Sequence, residues 1–110
     1  MRDKRVIPRS LAQRDVEEAI AHFLAKGARD AALGFVDALE AVCAQIGRYP
    51  GNGSSRYGRQ LNLPELRCWP LGRYPFLVFY VERPGHIDVW RVLHGQRDIA
   101  AWMWEPPALE

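Results

Sequence analysis

The chain has 110 residues, of which 48% are hydrophobic, and a formal net charge of +2; these values fit one globular domain with a modest core and exclude a disordered or fibrous chain. No apolar run approaches the roughly 18 residues that a membrane span needs, and no apolar signal segment follows the charged start Met1-Arg2-Asp3-Lys4-Arg5, so a cytoplasmic protein with a single domain over residues 1–110 is expected. The charge is unevenly spread, net +4 over residues 1–14, −4 over 15–47, +4 over 48–73 and −2 over 74–110, and an Arg-rich segment of this kind suits nucleic acid, an acidic partner peptide or plain solvation.

In chain order, residues 4–8 read as a short strand that Pro8 ends. Ser10 reads as an N-cap, with Gln13 three residues on as in a capping box, and Val16, Ile20, Phe23 and Leu24 follow helical spacing as far as Gly27. A first helix over about 11–26 follows. Asp30 reads as the cap of a second helix whose stripe is Phe35, Leu39, Val42 and Ile46, widened by Val36 and Cys43 and closed at Tyr49-Pro50-Gly51. The link at 27–29 is short, which makes the two helices an antiparallel hairpin. Residues 47–60, rich in Gly, Ser, Asn and Arg, read as a long loop.

Three strand-like runs complete the chain: 66–71, 73–82 and 86–93, joined by short turns as an antiparallel meander. The unbroken apolar run 76–81 suits a central strand covered on both faces. The expected architecture is α+β in the order β-α-α-β-β-β: a helical hairpin packed on one face of a small, mainly antiparallel sheet, with a short C-terminal turn or helix. Cys43 and Cys68 fall on an apolar helix face and in a strand and read as two buried thiols. With no CxxC or HxxxH spacing, no metal site is expected.

Several words occur in a telling order. Arg14-Asp15 enters the first helix. The second contains Ala31-Ala32-Leu33-Gly34-Phe35-Val36-Asp37-Ala38-Leu39-Glu40 and is followed by Tyr49-Pro50-Gly51. Then come Gly72-Arg73-Tyr74, Leu77-Val78-Phe79-Tyr80, and Arg91-Val92-Leu93-His94-Gly95 with Arg97-Asp98. Together they span nearly the whole chain, and their order resembles the ParE branch of the ParE/RelE superfamily of type II toxin–antitoxin toxins. The resemblance implies a cognate antitoxin wrapped into the groove between helices and sheet. It also implies, for the ParE branch, a binding protein that is not itself an enzyme. Such a toxin inhibits DNA gyrase by stabilising the cleaved DNA complex, carries no cofactor and meets operator DNA only through its antitoxin.

Two alternatives accompany that reading. One is a ribosome-dependent mRNA endoribonuclease of RelE type, whose chemistry needs a proton acceptor, cations for the charged phosphorane and a stacking aromatic. Here the only Lys residues are Lys4 and Lys26, the strand position for a catalytic Arg is Phe76, no Tyr follows Tyr80, and the late-Tyr position falls near Met103; only Arg97 matches. The other alternative is a non-toxic co-repressor that only binds antitoxin. The candidate target-binding residues are Arg91, His94, Gln96, Arg97, Asp98, Trp102 and Trp104. Among them Arg97 supplies a guanidinium that can meet carboxylate or phosphate, and the two Trp either form a docking patch or fold back on the core. Plain structural readings stand beside these: His94 bonding a strand end, Arg91 half-buried in an ion pair on a face shared with Val89 and Leu93, and Asp98 capping the C-terminal turn. The candidate antitoxin-binding residues are Phe23, Phe35, Leu39, Arg67, Arg73, Tyr80 and Trp90, with acidic or apolar antitoxin side chains meeting the Arg-rich strands and an added strand pairing with the sheet.

Overall fold

The computed structural model describes residues 3–104. Its elements are β1 (Arg5–Pro8), α1 (Ser10–Ala25), α2 (Arg29–Arg48), a 3-10 turn over Pro50–Asn52, α3 (Arg56–Gln60), β2 (Leu66–Pro70), β3 (Phe76–Glu82), β4 (His86–His94) and α4 (Ile99–Trp104). The strands form one sheet in the order β1-β4-β3-β2. β1 runs parallel to β4, and the β2–β3 and β3–β4 pairs are antiparallel. This is the expected α+β order with its short C-terminal helix, α4, and with α3 added.

The hairpin covers one face of the sheet. Ala12 and Ala19 from α1 and Phe35, Val42 and Ile46 from α2 pack on Val78, Tyr80, Ile87, Val89 and Val92. The other face carries a second core: Leu66, Cys68, Phe79, Val81 and Leu93 beneath Ile99 and Met103 of α4, with Tyr57 and Leu61 half-buried at its side. The unbroken run of β3 therefore has one set of side chains in each core, because successive strand residues point to opposite faces. The hairpin thus lies on one face as expected, and the short helices α3 and α4 cover the other, since an apolar second face left bare would cost roughly 25 cal/mol for each Å².

Four local expectations are corrected. Ser10 does not cap α1; it lies inside the helix, with Arg9 as the N-cap. The Arg9 N–H is bonded to the Val89 carbonyl of β4 at 2.9 Å, so the chain turns from strand into helix within one residue. Gln13 reaches back to the Pro8 carbonyl at 3.3 Å. Asp30 does not cap α2; Ala28 does, and Asp30 sits in the first turn, where its charge favours the helix dipole. Gly27, at φ 72°, does end α1. The stretch 47–60 is not loop throughout: it holds the 3-10 turn and α3, whose Tyr57 packs edge-on against Phe79 at 5.4 Å.

The fourth correction concerns β4. The β3–β4 register shifts between Phe79 and Tyr80, which pair with Arg91 and Val89. Trp90 is the extra residue of a β-bulge, and a bulge breaks the alternation of faces along its strand. Arg91 therefore lies opposite Phe79, on the face of Leu93 but not on that of Val89.

Candidate functional site

β1 is shorter than β4, so β1 pairs with residues 86–89 and leaves the rest of that β4 edge to another partner. The partner is Asp15 on α1. Its carboxylate accepts the Val92 N–H at 3.0 Å and two guanidinium bonds from Arg91, at 2.7 and 2.6 Å. Arg91 is 1% exposed and also donates to the Trp102 carbonyl of α4. A fork of donors meeting a carboxylate in two places is the strongest arrangement these side chains have. The clamp ties α1, β4 and α4 together, and Arg91 is therefore a buried tie rather than a surface contact.

Beside the clamp lies a cleft of about 420 Å³, lined by residues of α1, of the sheet end and of the segment leading into α4. It brings together four of the sequence candidates, His94, Gln96, Arg97 and Trp102, with Glu18, His22 and Phe76. Arg97 stacks over the Trp102 ring at 3.9 Å, which leaves its outward N–H groups available. His94 accepts the Gln96 N–H through Nδ1 at 3.1 Å and packs edge-on against Phe76 at 5.3 Å. Phe76 in turn contacts Phe35 at 5.0 Å. Asp98 turns away from the cleft and caps α4, accepting the Ala101 N–H at 3.2 Å.

Trp104 is separated from this group. It is exposed and lies 6.0 Å from Trp90, on whose ring Arg9 stacks at 4.5 Å. Below them Asp88 accepts bonds from Arg9 (3.0 and 2.9 Å), Arg83 (3.3 and 3.1 Å) and the Trp90 indole (3.1 Å). Burial works to raise the Asp88 carboxyl, but the bonds from Arg9, Trp90 and Arg83 outweigh it and hold the group below its ordinary value of 3.8. α4 thus folds back on the core through Met103, while its two Trp face different neighbours.

A second cleft, of about 380 Å³, opens between α1, α2 and the sheet; Ala12, Val16, Leu39, Cys43, Val78 and Val89 give it apolar walls. Of the antitoxin candidates, Leu39 lines this cleft. Phe35 and Tyr80 are 0% exposed and serve the core; the Tyr80 hydroxyl donates to the Pro50 carbonyl at 2.6 Å, beside Gly53, where a Cβ would collide with that hydroxyl. Burial pushes the Tyr80 phenol up to about 12. Phe23 is half-buried against Phe35 and Tyr74. Arg73 is exposed at the β2–β3 turn, and Arg67 is bonded to the Gly53 carbonyl at 2.8 Å. Both thiols are free and raised by burial. Among the described residues no group of three or more His, Cys, Asp or Glu is placed to hold a metal, and no helix is long and apolar enough to cross a membrane.

A family model described as the ParE toxin of the type II toxin–antitoxin system parDE matches residues 6–99. The chain belongs to the ParE toxin family. A solved structure described as the chromosomal ParDE TA system from P. aeruginosa is similar to it, with a TM-score of 0.68 and 17% identity over 83% of this chain and 95% of that one. At that identity the shared property is the fold. No curated protein sequence matches the chain. For this ParE-family toxin, sequence reasoning placed Asp15 in a family word but assigned it no role, because its partner Arg91 is 76 residues away. Glu18 and His22 carried a signal that went unread: spaced at i and i+4 on α1, they share one helix face.

Proposed function

We propose that this toxin acts by binding DNA gyrase and holding the enzyme on cleaved DNA, with no bond-making of its own. The observation that carries the reading is Phe76. At the position where a RelE-type nuclease presents a catalytic Arg, the cleft instead has an aromatic ring packed between Phe35 and His94. Charge stabilisation of a phosphorane needs cations aimed at it, and among the described residues Arg97 is the single Lys or Arg lining this cleft. His94 adds little as a base. In the neutral ring, Nδ1 accepts the Gln96 N–H, so Nε2 carries the proton. The cleft is then a contact surface with one cation, one Trp and polar groups around an aromatic floor, which suits protein recognition.

The antitoxin is proposed to lay an amphipathic helix into the apolar cleft between α1 and α2, with Leu39 among its contacts. Among the described residues an added strand has one open edge to join, β1, because Ser54 already pairs with Cys68 on the outer side of β2. The test is purified toxin with gyrase, ATP and supercoiled plasmid. Linear DNA should accumulate with toxin and disappear when antitoxin is added; normal supercoiling at large toxin excess would overturn the reading. One observation favours the ribonuclease as a second reading: Glu18 and His22 line the same cleft as Arg97 and Trp102. Codon-spaced cuts in translated mRNA, mapped by primer extension, would support it and their absence would remove it.

A further inference from the structure

Residues 41–64 contain three Arg and no Asp or Glu, and the wider stretch 41–81 contains five Arg against the single acid Glu65. The fold gathers three of these arginines on one strip. Ser54 pairs antiparallel with Cys68, with bonds of 2.8 and 2.9 Å in the two directions, and so lays residues 53–55 along the outer edge of β2. Three guanidinium groups are fastened to this strip and to α3 by neutral acceptors. Arg67 donates to the Gly53 carbonyl at 2.8 Å, Arg59 to the Ser55 hydroxyl at 2.7 Å, and Arg56 to the Tyr57 hydroxyl at 2.9 Å while stacking on that ring at 4.7 Å. None of the three has a salt bridge among the described residues, whereas Arg9, Arg48, Arg83 and Arg91 each do.

Each guanidinium has five N–H donors and spends one here on a hydrogen bond, so the remainder are oriented and free for oxygen anions. Exposed Asn52, Ser54, Gln60 and Asn62 interleave further hydrogen-bonding groups. No large hydrophobic residue between 50 and 73 is strongly exposed; among the described residues those that are exposed are Ile7, Leu24, Leu33, Tyr49 and Trp104. A protein interface draws its affinity from buried apolar anchors, and this strip has none. A phosphate backbone needs only cations and neutral donors at fixed positions.

We propose that Arg56, Arg59 and Arg67 form a contact strip for the phosphate backbone of duplex DNA, separate from the cleft that holds Arg97. The DNA has two sources, the segment held by gyrase and the operator bound by the toxin–antitoxin complex. Binding to bare duplex needs no gyrase, so this inference stands or falls apart from the gyrase reading. The sequence assigned Arg67 to the antitoxin; its grouping with two unpaired arginines moves it to the DNA strip.

The experiment is fluorescence anisotropy of a labelled duplex of arbitrary sequence with the full-length toxin across a salt series. Wild-type toxin should bind with log affinity falling linearly against log salt. The variant Arg56→Gln/Arg59→Gln/Arg67→Gln should lose at least about tenfold in affinity and lower the salt slope by about two to three. Because Arg67 also supports the 53–55 segment, Arg56→Gln/Arg59→Gln on the exposed helix gives a second variant with a slope lower by about two. The charge-matched control Arg14→Gln/Lys26→Gln/Arg29→Gln on the hairpin should leave binding unchanged. No duplex binding by wild-type toxin, an equal loss in the control, or displacement of the duplex by polyglutamate at equal charge would each overturn the proposal. Two further arms assign the source: reduced gyrase-dependent linear DNA points to the gyrase-held segment, and reduced operator affinity of the toxin–antitoxin complex points to the operator.

Discussion

Two aspartates bind arginine against β4, and the contrast between them shows which parts of the molecule hold the functional surface in place. Asp15 reaches across from α1 to an Arg91 that is 1% exposed and whose third bond goes to α4. Asp88 shares itself between Arg9 and Arg83, whose side chains are 50% and 36% exposed. The first pair is shut away from water and joins three elements; in the second Asp88 is buried, but its two arginines lie at the surface, where solvent screens them. The enclosed clamp sets where the Arg97–Trp102 cleft stands, and the open one holds the Trp90 edge together.

The largest effect should therefore come from Asp15→Asn. It keeps an acceptor for Val92 but leaves a buried guanidinium without its charge partner, at a cost of about 3–5 kcal/mol in urea unfolding. A loss below about 1 kcal/mol would show that the clamp is incidental. Asp88→Asn should cost less, about 1 kcal/mol after screening, and should change the pH profile. The folded Asp88 carboxyl titrates below its ordinary 3.8, so its contribution is complete above that value and is lost as pH falls through the lower folded value. The gap between wild type and Asp88→Asn should accordingly close below about pH 4; a gap that persists in acid would sever Asp88 from this role.

Tyr80→Phe should cost a similar amount, about 1 kcal/mol for the bond to Pro50. The folded phenol titrates at about 12, above its ordinary 10.0, so wild type should lose more stability than the Phe variant as pH rises between them. The smallest stability effect belongs to Arg97→Ala, within about 0.5 kcal/mol for an exposed residue. Its effect on toxicity should nonetheless be complete, which separates the cleft from the clamp that supports it.

Much of the fold was legible because it follows from periodicity. The hairpin stripe Phe35–Val42–Ile46 and the unbroken run of β3 are patterns of burial, and both cores confirm them. What escaped was chemistry at a distance and exceptions to period. Asp15 and Arg91 meet only because β1 stops short of them. The bulge at Trp90 reassigns faces without leaving a Gly or Pro to mark it. α3 hides in a composition that usually means loop, and its helical turn is sustained by packing of Tyr57 and Leu61 rather than by propensity. At the candidate site, residues 92–98 form one stretch that runs out of the end of β4. The structure then divides it: His94, Gln96 and Arg97 face the cleft, Val92 and Leu93 fill the two cores, and Asp98 caps α4.

The most direct measurement is gyrase-mediated cleavage of supercoiled plasmid by wild-type toxin and Arg97→Ala, alongside antitoxin binding by each. The account predicts linear DNA with the wild type, none with Arg97→Ala, and equal antitoxin affinity for both. Undiminished cleavage by a folded Arg97→Ala protein, or none by wild type at large excess, would contradict it.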